Sequence, residues 1–232
     1  MKQLLFGFVF LGFAMPAAAQ AVDVGYSPPK SPFRDLEYHQ ELTLFGGYYS
    51  AAKDPAGAAP KSAQMEGIRY EITVGGPAQI YARLARVNSQ RNVIDASAPA
   101  ATRQLGVQSW PVYLFDAGLS LNLTGQRSFH GVVPVITAGG GLVSDLDKSI
   151  DADPFNLGTN FAFSFGAGLR MVPGGRFQIR ADAGTYLYQI KYPTLYYVTA
   201  SDGTAVLPSD QAKSFWKRNG ALSLGVSYLL FR

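Results

Sequence analysis

Hydrophobic and small polar residues alternate strictly in the last fourteen residues of the chain. Leu222, Leu224 and Val226 share one face of an extended strand, and Ser223 and Gly225 share the other. A period of two indicates a β-strand. Large apolar groups opposite small polar ones indicate a strand with lipid on one side and a crowded interior on the other. This segment is therefore predicted to be a membrane-facing strand.

Seven earlier segments repeat this alternation, which gives eight predicted strands in all. Each spans roughly the 9–11 residues with which a tilted strand crosses the hydrocarbon of a bilayer. The fifth segment is ambiguous, because Val133 and Val135 add apolar residues to the face opposite Pro134 and Ile136. The predicted strands are residues 41–49, 67–74, 78–87, 112–123, 132–143, 160–171, 177–188 and 219–232.

The connections between the predicted strands are long and short in turn. Outer-membrane barrels have this order, with short turns in the periplasm and long loops outside the cell. The predicted fold class is therefore all-β, an eight-stranded antiparallel up-and-down transmembrane β-barrel with short periplasmic turns and long extracellular loops. The long connections are residues 50–66, 88–111, 144–159 and 189–218, and the short ones are residues 75–77, 124–131 and 172–176.

The longest loop contains a turn signal of its own, Ser201-Asp202-Gly203. Apolar segments at residues 195–200 and 204–207 flank this turn. One interpretation is a small hairpin that extends the seventh and eighth strands above the membrane. The alternative is a disordered loop.

The N-terminus has the parts of a secretion signal. An apolar run follows Lys2, and small residues at Ala19 and Ala21 fit a cleavage site. The run is too short to span a bilayer, which favours a cleaved signal over a retained anchor helix. The predicted organisation is a signal peptide at residues 1–21, a loose Pro-rich periplasmic segment at residues 22–40 and the barrel at residues 41–232.

Composition excludes several classes of function. The chain has no cysteine, which rules out a disulfide framework and thiolate chemistry. Its formal net charge is +4 and no basic run is interleaved with aromatic residues, so nucleic acid is not a predicted partner. Hydrophobic residues make up 47% of the chain and charged residues 16%, yet after the signal no apolar run is long enough for a membrane helix. This combination also favours a transmembrane barrel.

The opening strand Glu-Leu-Thr-Leu-Phe-Gly-Gly-Tyr-Tyr, residues 41–49, the alternating loop lengths and the terminal strand resemble small eight-stranded outer-membrane barrels of the OmpA/OmpX/OmpW-like superfamily. The resemblance covers nearly all of the chain after the signal. It implies the barrel fold, a place in the outer membrane of a Gram-negative envelope, and contact with outer-membrane lipid and lipopolysaccharide. Residues 223–230 also resemble the C-terminal signal by which the barrel-insertion machinery recognises such proteins.

Charged residues on the strands fall mainly on the faces predicted to point inward. A barrel of eight strands is only wide enough to be filled by side chains. Charges in that space must be paired, because an unpaired buried charge costs several kcal/mol of desolvation. Bidentate pairs that plug the lumen are one interpretation, and a gated path for ions or small solutes is the other. The predicted lumen cluster is Glu41, Arg69, Glu71, Arg83, Asp116, Arg170, Arg180 and Asp182.

Catalytic and metal sites are not predicted. Enzymes that modify lipid A need a nucleophile and a base at the outer rim, but His39 and His130 are both predicted on the periplasmic side. Alternating aspartates in the third external loop could bind Ca²⁺, although a solvated acidic loop fits better because the glycine and glutamate of an EF-hand loop are missing. No cofactor is predicted. The aspartates are Asp145, Asp147, Asp151 and Asp153.

Basic residues in the external segments either neutralise phosphates of lipopolysaccharide or are ordinary solvated charges. They are Lys53, Lys61, Arg91, Arg103, Lys191, Lys213, Lys217 and Arg218. Aromatic residues cluster near both ends of the predicted strands, as in the two interfacial girdles of membrane barrels. The outer set is Tyr48, Tyr49, Trp110, Tyr113, Tyr186, Tyr188, Phe215 and Trp216, and the inner set is Phe129, Phe177 and Phe231.

The sequence therefore predicts a non-enzymatic integral outer-membrane barrel protein with a structural or surface-interaction role in the cell envelope. The alternatives are a narrow pore for small or apolar solutes, a lipid A-modifying enzyme and a secreted lipocalin-like carrier, whose apolar side chains would point inward. The sequence does not indicate a ligand, an adhesion target or an oligomeric state.

Overall fold

The computed structural model describes residues 31–173 and 175–230. The predicted signal peptide, residues 22–30 of the Pro-rich segment and the last two residues lie outside this part of the chain. Eight long strands are found at the predicted places. They are β1 (Gln40–Ser50), β2 (Ala63–Gly75), β3 (Ala78–Val87), β4 (Val112–Asn122), β5 (Val132–Ser144), β6 (Thr159–Met171), β7 (Phe177–Lys191) and β8 (Ser214–Leu229).

The eight strands form one closed antiparallel sheet. Each of β1 to β7 pairs with the next strand along the chain, and β8 pairs back onto β1, with Ser227 opposite Thr43. Closure leaves no free strand edge in the barrel, which is what a sheet in hydrocarbon requires. The predicted fold class is confirmed. No helix in the described ranges is long and apolar enough to cross a membrane.

The two faces of the wall have opposite polarity. On β8, the outward-facing Leu222 and Leu224 are 63% and 61% exposed, whereas the inward-facing Ser227 is buried. On β1, Leu44 points outward and Glu41 is buried inside. A closed antiparallel barrel with an apolar outer band and polar groups inside is the structure of outer-membrane proteins. The chain is therefore an outer-membrane barrel, and the lipocalin-like alternative, which needs the reverse polarity, does not fit.

The ambiguity of the fifth strand is resolved by β5. Val133 and Val135 are buried in the lumen, while Ile136 and Leu142 are exposed on the outer face. Apolar residues therefore lie on both faces of this strand. Neighbouring backbones approach closely here, and a Cβ added at Gly141 would overlap the carbonyl oxygen of Phe115.

The strands β7 and β8 are the longest of the barrel and pair as far as Lys191 and Ser214. The predicted hairpin in their loop is wrong. Thr194–Tyr197 is a 3₁₀ helix, and few backbone hydrogen bonds cross the loop, among them that from Ala200 N–H to the Thr204 carbonyl at 2.9 Å. The strand extension comes from the ends of β7 and β8 themselves.

The described part of the Pro-rich segment is not loose. Its short strand Phe33–Asp35 pairs with Arg127–Phe129 in the turn before β5. The N–H of His130 donates to the Pro32 carbonyl at 2.8 Å, and the N–H of Thr73 donates to the His39 carbonyl at 2.7 Å. We call residues 32–39 the periplasmic strap, because they cross the end of the barrel that carries the short turns.

The four long loops pack together at the other end of the barrel. Phe155, Tyr196 and Leu207, which come from two different loops, are each 1% exposed or less. A two-stranded hairpin of Gln90–Ile94 and Gln104–Ser109 lies in the second loop. We call the packed loops, residues 51–62, 88–111, 145–158 and 192–213, the loop cap.

Candidate functional site

The lumen below the loop cap holds all eight residues of the predicted cluster. Strand alternation turns each of them inward, and each makes at least one ion pair. Four arginines face four carboxylates, so the cluster carries no net charge when all are ionised. The pairs form two groups, one nearer the periplasmic turns and one near the middle of the barrel.

Arg180 is the centre of the group nearer the periplasm. Its Nη1 donates to Glu41 Oε1 at 3.1 Å and also to Glu71 Oε2, while its Nε donates to Asp182 Oδ2 at 2.7 Å. These contacts join β7 to β1 and β2, which lie two and three strands away around the barrel. The guanidinium is 1% exposed, so the carboxylates replace the water that a free arginine would bind.

Two further arginines complete this group. Arg69 Nη2 donates to Glu71 Oε1 at 2.7 Å. Arg170 Nη1 donates to Glu41 Oε2 at 2.9 Å, and its Nη2 donates to Asn122 Oδ1 at 2.5 Å. The group therefore spans the lumen from β2 to β6, which are four strands apart in a barrel of eight and hence on opposite walls.

The second group is built on Asp116. Arg83 binds it with both arms of its fork, Nε to Oδ1 and Nη2 to Oδ2, each at 2.9 Å. Oδ2 also accepts from Tyr81 at 2.9 Å and from Ser164 at 2.8 Å, and Oδ1 accepts from Tyr186 at 3.3 Å. Of the bidentate pairs expected from the sequence, this is the one that forms. Arg69, Arg170 and Arg180 instead contact each of their carboxylates through a single nitrogen.

Above these two groups the lumen becomes apolar. Met65, Leu114 and Val143 are each 3% exposed or less. The hydroxyls of Tyr49 and Tyr188 lie 2.9 Å apart and satisfy each other. The lumen is thus filled by ion pairs in its lower part and by hydrophobic contacts in its upper part, where it meets the loop cap.

Arg91 lies in an external loop, as predicted, but it is neither a lipopolysaccharide contact nor a solvated charge. It is 0% exposed, its Nη1 lies 2.6 Å from Asp153 Oδ2, and its guanidinium stacks 4.2 Å from the ring centre of Trp110. It therefore cannot bind lipopolysaccharide. Strand periodicity could not reveal this, since Arg91 and Asp153 come from different loops.

The predicted solvated acidic loop is only half correct. Asp153 also accepts from the N–H groups of Ile94 and Phe155, both at 2.9 Å, and Asp145 accepts from Trp110 Nε1 at 2.9 Å. Both carboxylates are buried. Asp147 and Asp151 are exposed. Among residues 31–173 and 175–230, no three histidine, aspartate or glutamate side chains are grouped so as to hold a metal ion.

Burial and hydrogen bonding shift the pKa values of groups in the loop cap. Burial, together with the neighbouring Asp153, raises the pKa of Tyr196 well above its usual value. Burial also raises the pKa of Tyr192, whose hydroxyl donates to Asp54. The N–H of Ala100 donates to Asp202 and, with Thr204, lowers the pKa of that carboxyl to about 2. The cap therefore holds its tyrosines neutral and Asp202 ionised.

Only part of the predicted outer girdle faces lipid. Tyr48 and Trp216 are exposed on the outer face. Tyr49 points inward because it follows Tyr48 directly on the same strand. At the periplasmic end Phe177 is exposed on the outer face, as predicted. The predicted girdle residues that prove to be buried are Tyr49, Trp110, Tyr186 and Tyr188.

The two histidines lie at the periplasmic end of the barrel. His39 ends the periplasmic strap, and His130 occupies the turn before β5 with a positive φ of 50°. Neither is near the loop cap, where chemistry on outer-leaflet lipid would take place. Within the described residues, both histidines therefore lie away from the outer rim.

No protein-family model and no curated protein matches the sequence of this chain. Three solved structures to which it is similar each have a TM-score of 0.48. Neisserial surface protein A is 14% identical, over 82% of this chain and 97% of that one. The outer membrane protein OprG from Pseudomonas aeruginosa is 11% identical, over 84% and 98% of the two chains. The outer membrane protein AlkL is 17% identical, over 94% and 98%. At these identities the similarity concerns the fold.

Proposed function

We propose that this protein is a closed, non-enzymatic outer-membrane barrel whose loop cap makes contacts at the cell surface. The observation that carries the proposal is the filled lumen. One group of ion pairs crosses the lumen between opposite walls, and the hydrogen bonds of Asp116 to Ser164 and Tyr186 cross it higher up. An apolar layer lies above both groups. In this proposal the filled barrel does not transport solutes and instead anchors the loop cap in the outer membrane.

The surface role is supported by the hairpin of the loop cap. Its inner strand, Gln90–Ile94, is mostly buried against the cap, whereas Gln104–Ser109 is exposed along its whole length. Leu105 and Val107 are 53% and 58% exposed. The strand Gln104–Ser109 contains no charged residue. Exposed apolar groups on an outer strand favour contact with another molecule.

Closure is tested by recording from the purified protein in planar lipid bilayers. We expect no steady unitary conductance, because ions would have to break buried pairs such as Arg83–Asp116. The variants Arg83→Ala and Arg127→Ala form a matched set, since Arg127 is paired but exposed. Steady conductance steps in the wild type that change in Arg83→Ala and not in Arg127→Ala would show an open lumen and favour the narrow pore.

The surface role is tested with cells that display the protein on arrays of immobilised glycans and extracellular-matrix proteins. We expect binding to at least one coat, lost in the double variant L105S/V107S. The variant T102S, which changes an exposed residue of the same loop, serves as control. Equal binding by cells with and without the protein on every coat would contradict the surface role.

The non-enzymatic assignment has its own test. The mass spectrum of lipid A is compared between cells that overproduce the protein and cells that lack it. We expect identical spectra. Loss or transfer of an acyl chain would instead support the lipid A-modifying alternative, with a site in the loop cap built on carboxylates.

A further inference from the structure

The hairpin of the second loop continues two barrel strands in register. Val87 lies opposite Val112 at the outer end of β3 and β4. In the hairpin, Gln90 lies opposite Ser109. Each member of the second pair is three residues from its counterpart in the first, so the ladder resumes without a shift in register. The strand Gln104–Ser109 therefore runs toward the membrane, in the same direction as β4.

The outer edge of the strand Gln104–Ser109 is free. In the barrel, β4 is covered on that side by β5, but β5 ends at Ser144, which lies opposite Tyr113. Within residues 31–173 and 175–230, Gln104–Ser109 pairs only with Gln90–Ile94, and all six of its residues are exposed. A free edge of this kind presents backbone groups to which another strand can be added.

The hydrogen bonds of the hairpin show which backbone groups point to the free edge. Trp110 N–H donates to the Ser89 carbonyl at 2.8 Å, so these two residues form a hydrogen-bonded pair. Hydrogen-bonded and non-bonded pairs alternate along an antiparallel ladder, so Gln90 and Ser109 form a non-bonded pair. The Gln90 carbonyl accordingly accepts from Lys61 N–H at 2.9 Å, on the side away from Ser109. The N–H and C=O of Ser109 therefore point to the free edge.

Val107 lies two residues before Ser109, so its backbone groups point the same way. A row of N–H and C=O groups is matched by another extended chain that adds itself to the sheet as a strand. Edge strands are commonly protected from such addition by charged side chains, but Gln104–Ser109 has none. A second copy of the same strand can therefore lie opposite it without like charges meeting.

The direction of the strand indicates where the second copy comes from. A copy in the same membrane presents its strand in the same direction, whereas a copy in a facing membrane presents it in the opposite direction. Antiparallel pairing is the slightly more stable arrangement, and it is the arrangement within the hairpin. We propose that Gln104–Ser109 pairs antiparallel with the same strand of a second copy of this chain, carried by another cell. One such contact is small, but many copies on two facing membranes add their strengths.

This proposal rests on the surface role proposed above and adds a second copy of the chain as its partner. It is tested with the full chain in phosphatidylcholine liposomes that carry one of two fluorophores. We expect liposomes of the two colours to co-cluster only when both carry the protein, as measured by two-colour fluorescence cross-correlation. Co-clustering with liposomes that lack the protein would identify lipid as the partner and overturn the proposal. Absence of co-clustering would overturn it as well.

A backbone variant tests whether the free edge makes the contact. Val107→Pro removes an N–H from that edge and keeps the hydrogen bonds of the hairpin, since Val107 faces Asn92 in a non-bonded pair. Proline is tolerated on an edge of this kind. We expect co-clustering to slow by about tenfold or more, because the contact loses a donor in both copies. Val107→Thr keeps the N–H and the branched side chain, so it is the matched control and should co-cluster like the wild type. Equal rates for the wild type and Val107→Pro would overturn the assignment of this edge.

Hydrogen exchange of the wild type gives a second measurement that needs no variant. We expect the amides of Gln104–Ser109 to exchange more slowly in co-clustered liposomes than in dispersed ones. Unchanged exchange in the clusters would place the contact elsewhere in the loop cap, and this measurement decides if Val107→Pro does not fold. The coats described above separate the two proposals. A protein that binds a coat but never co-clusters has a surface role and no self-pairing.

Discussion

Arg180 and Arg91 are both buried arginines that bind carboxylates, but they lie in regions built in different ways. Arg180 is held on a barrel strand and contacts carboxylates from three strands. Arg91 lies in the loop cap, where it pairs with Asp153 of another loop and stacks on Trp110. The barrel uses a regular sheet to bring charges together. The cap uses the packing of loops on one another, so its ion pair depends on the loops staying folded.

This difference predicts how far the effect of a lost arginine spreads. In the barrel, Arg180→Ala leaves Glu41, Glu71 and Asp182 without their shared partner. We expect the free energy of unfolding of the whole barrel to fall by about 3–5 kcal/mol, the usual cost of breaking a buried ion pair. Urea unfolding in lipid vesicles, followed by tryptophan fluorescence, measures it. Arg176→Ala, at an exposed turn, is the matched control and should leave the free energy of unfolding nearly unchanged. Equal effects of the two variants would mean that the lumen network contributes little.

In the cap, Arg91→Ala removes one partner of Asp153, which keeps three other donors. We expect a loss of about 3 kcal/mol, at the lower end of the range for a buried pair, and confined to the cap. Hydrogen exchange checks this, with faster exchange expected in residues 145–158 and 192–213 and unchanged exchange in the barrel strands. Arg103→Ala, which removes an exposed hydrogen bond in the same loop, is the control. Destabilisation of the barrel strands by Arg91→Ala would show that the two regions form one cooperative unit.

The same difference decides what the sequence could predict. Strand alternation predicts the inward face for residues such as Glu41 and Arg180, because each strand repeats every two residues. It does not predict which arginine binds which carboxylate. That depends on the stagger of the closed sheet, which brings together two residues 139 positions apart. The same rule assigns Tyr48 to the outer face and Tyr49 to the lumen.

The structure of the loop cap could not be predicted from the sequence, because the loop sequences have no hydrophobic periodicity. Phe155 and Leu207 belong to one buried hydrophobic cluster, although nothing in the sequence of their two polar loops indicates this. The turn signal at residues 201–203 is correct, but no strands flank the turn, and Thr194–Tyr197 forms a 3₁₀ helix whose Tyr196 is buried in the cap. The external loop of Arg91 predicts an exposed side chain, but the pairing with Asp153 buries it. Contacts between loops, which no pattern along the chain encodes, decided each of these cases.

Alkaline pH tests the cap separately from the barrel. Burial beside Asp153 raises the pKa of Tyr196 above its usual value near 10. The closed cap therefore keeps a proton that the open cap loses, so the free energy of cap opening is intact below about pH 10 and falls as the pH rises further. In a W216F background, the emission of Trp110 reports opening. The double variant Y192F/Y196F cannot ionise at these positions and should show a smaller alkaline change. An unchanged profile in that variant would assign the change to other groups.

Acid pH tests a smaller contact in the opposite direction. Asp202 accepts from the N–H of Ala100 at 2.7 Å and so joins the second and fourth loops of the cap at their exposed surface. Its pKa is lowered to about 2, chiefly by that hydrogen bond. The ionised form is favoured in the closed cap, so the contact is complete above about pH 4 and is lost as the pH falls toward 2. Amide chemical shifts of Ala100 between pH 5 and pH 2 follow the loss, and Asp202→Ala should show the low-pH shift at pH 5. Because the carboxyl of Asp202 is exposed, we expect the rest of the cap to stay folded at low pH. A cap that opens at pH 3 would show instead that this one hydrogen bond holds the loops together.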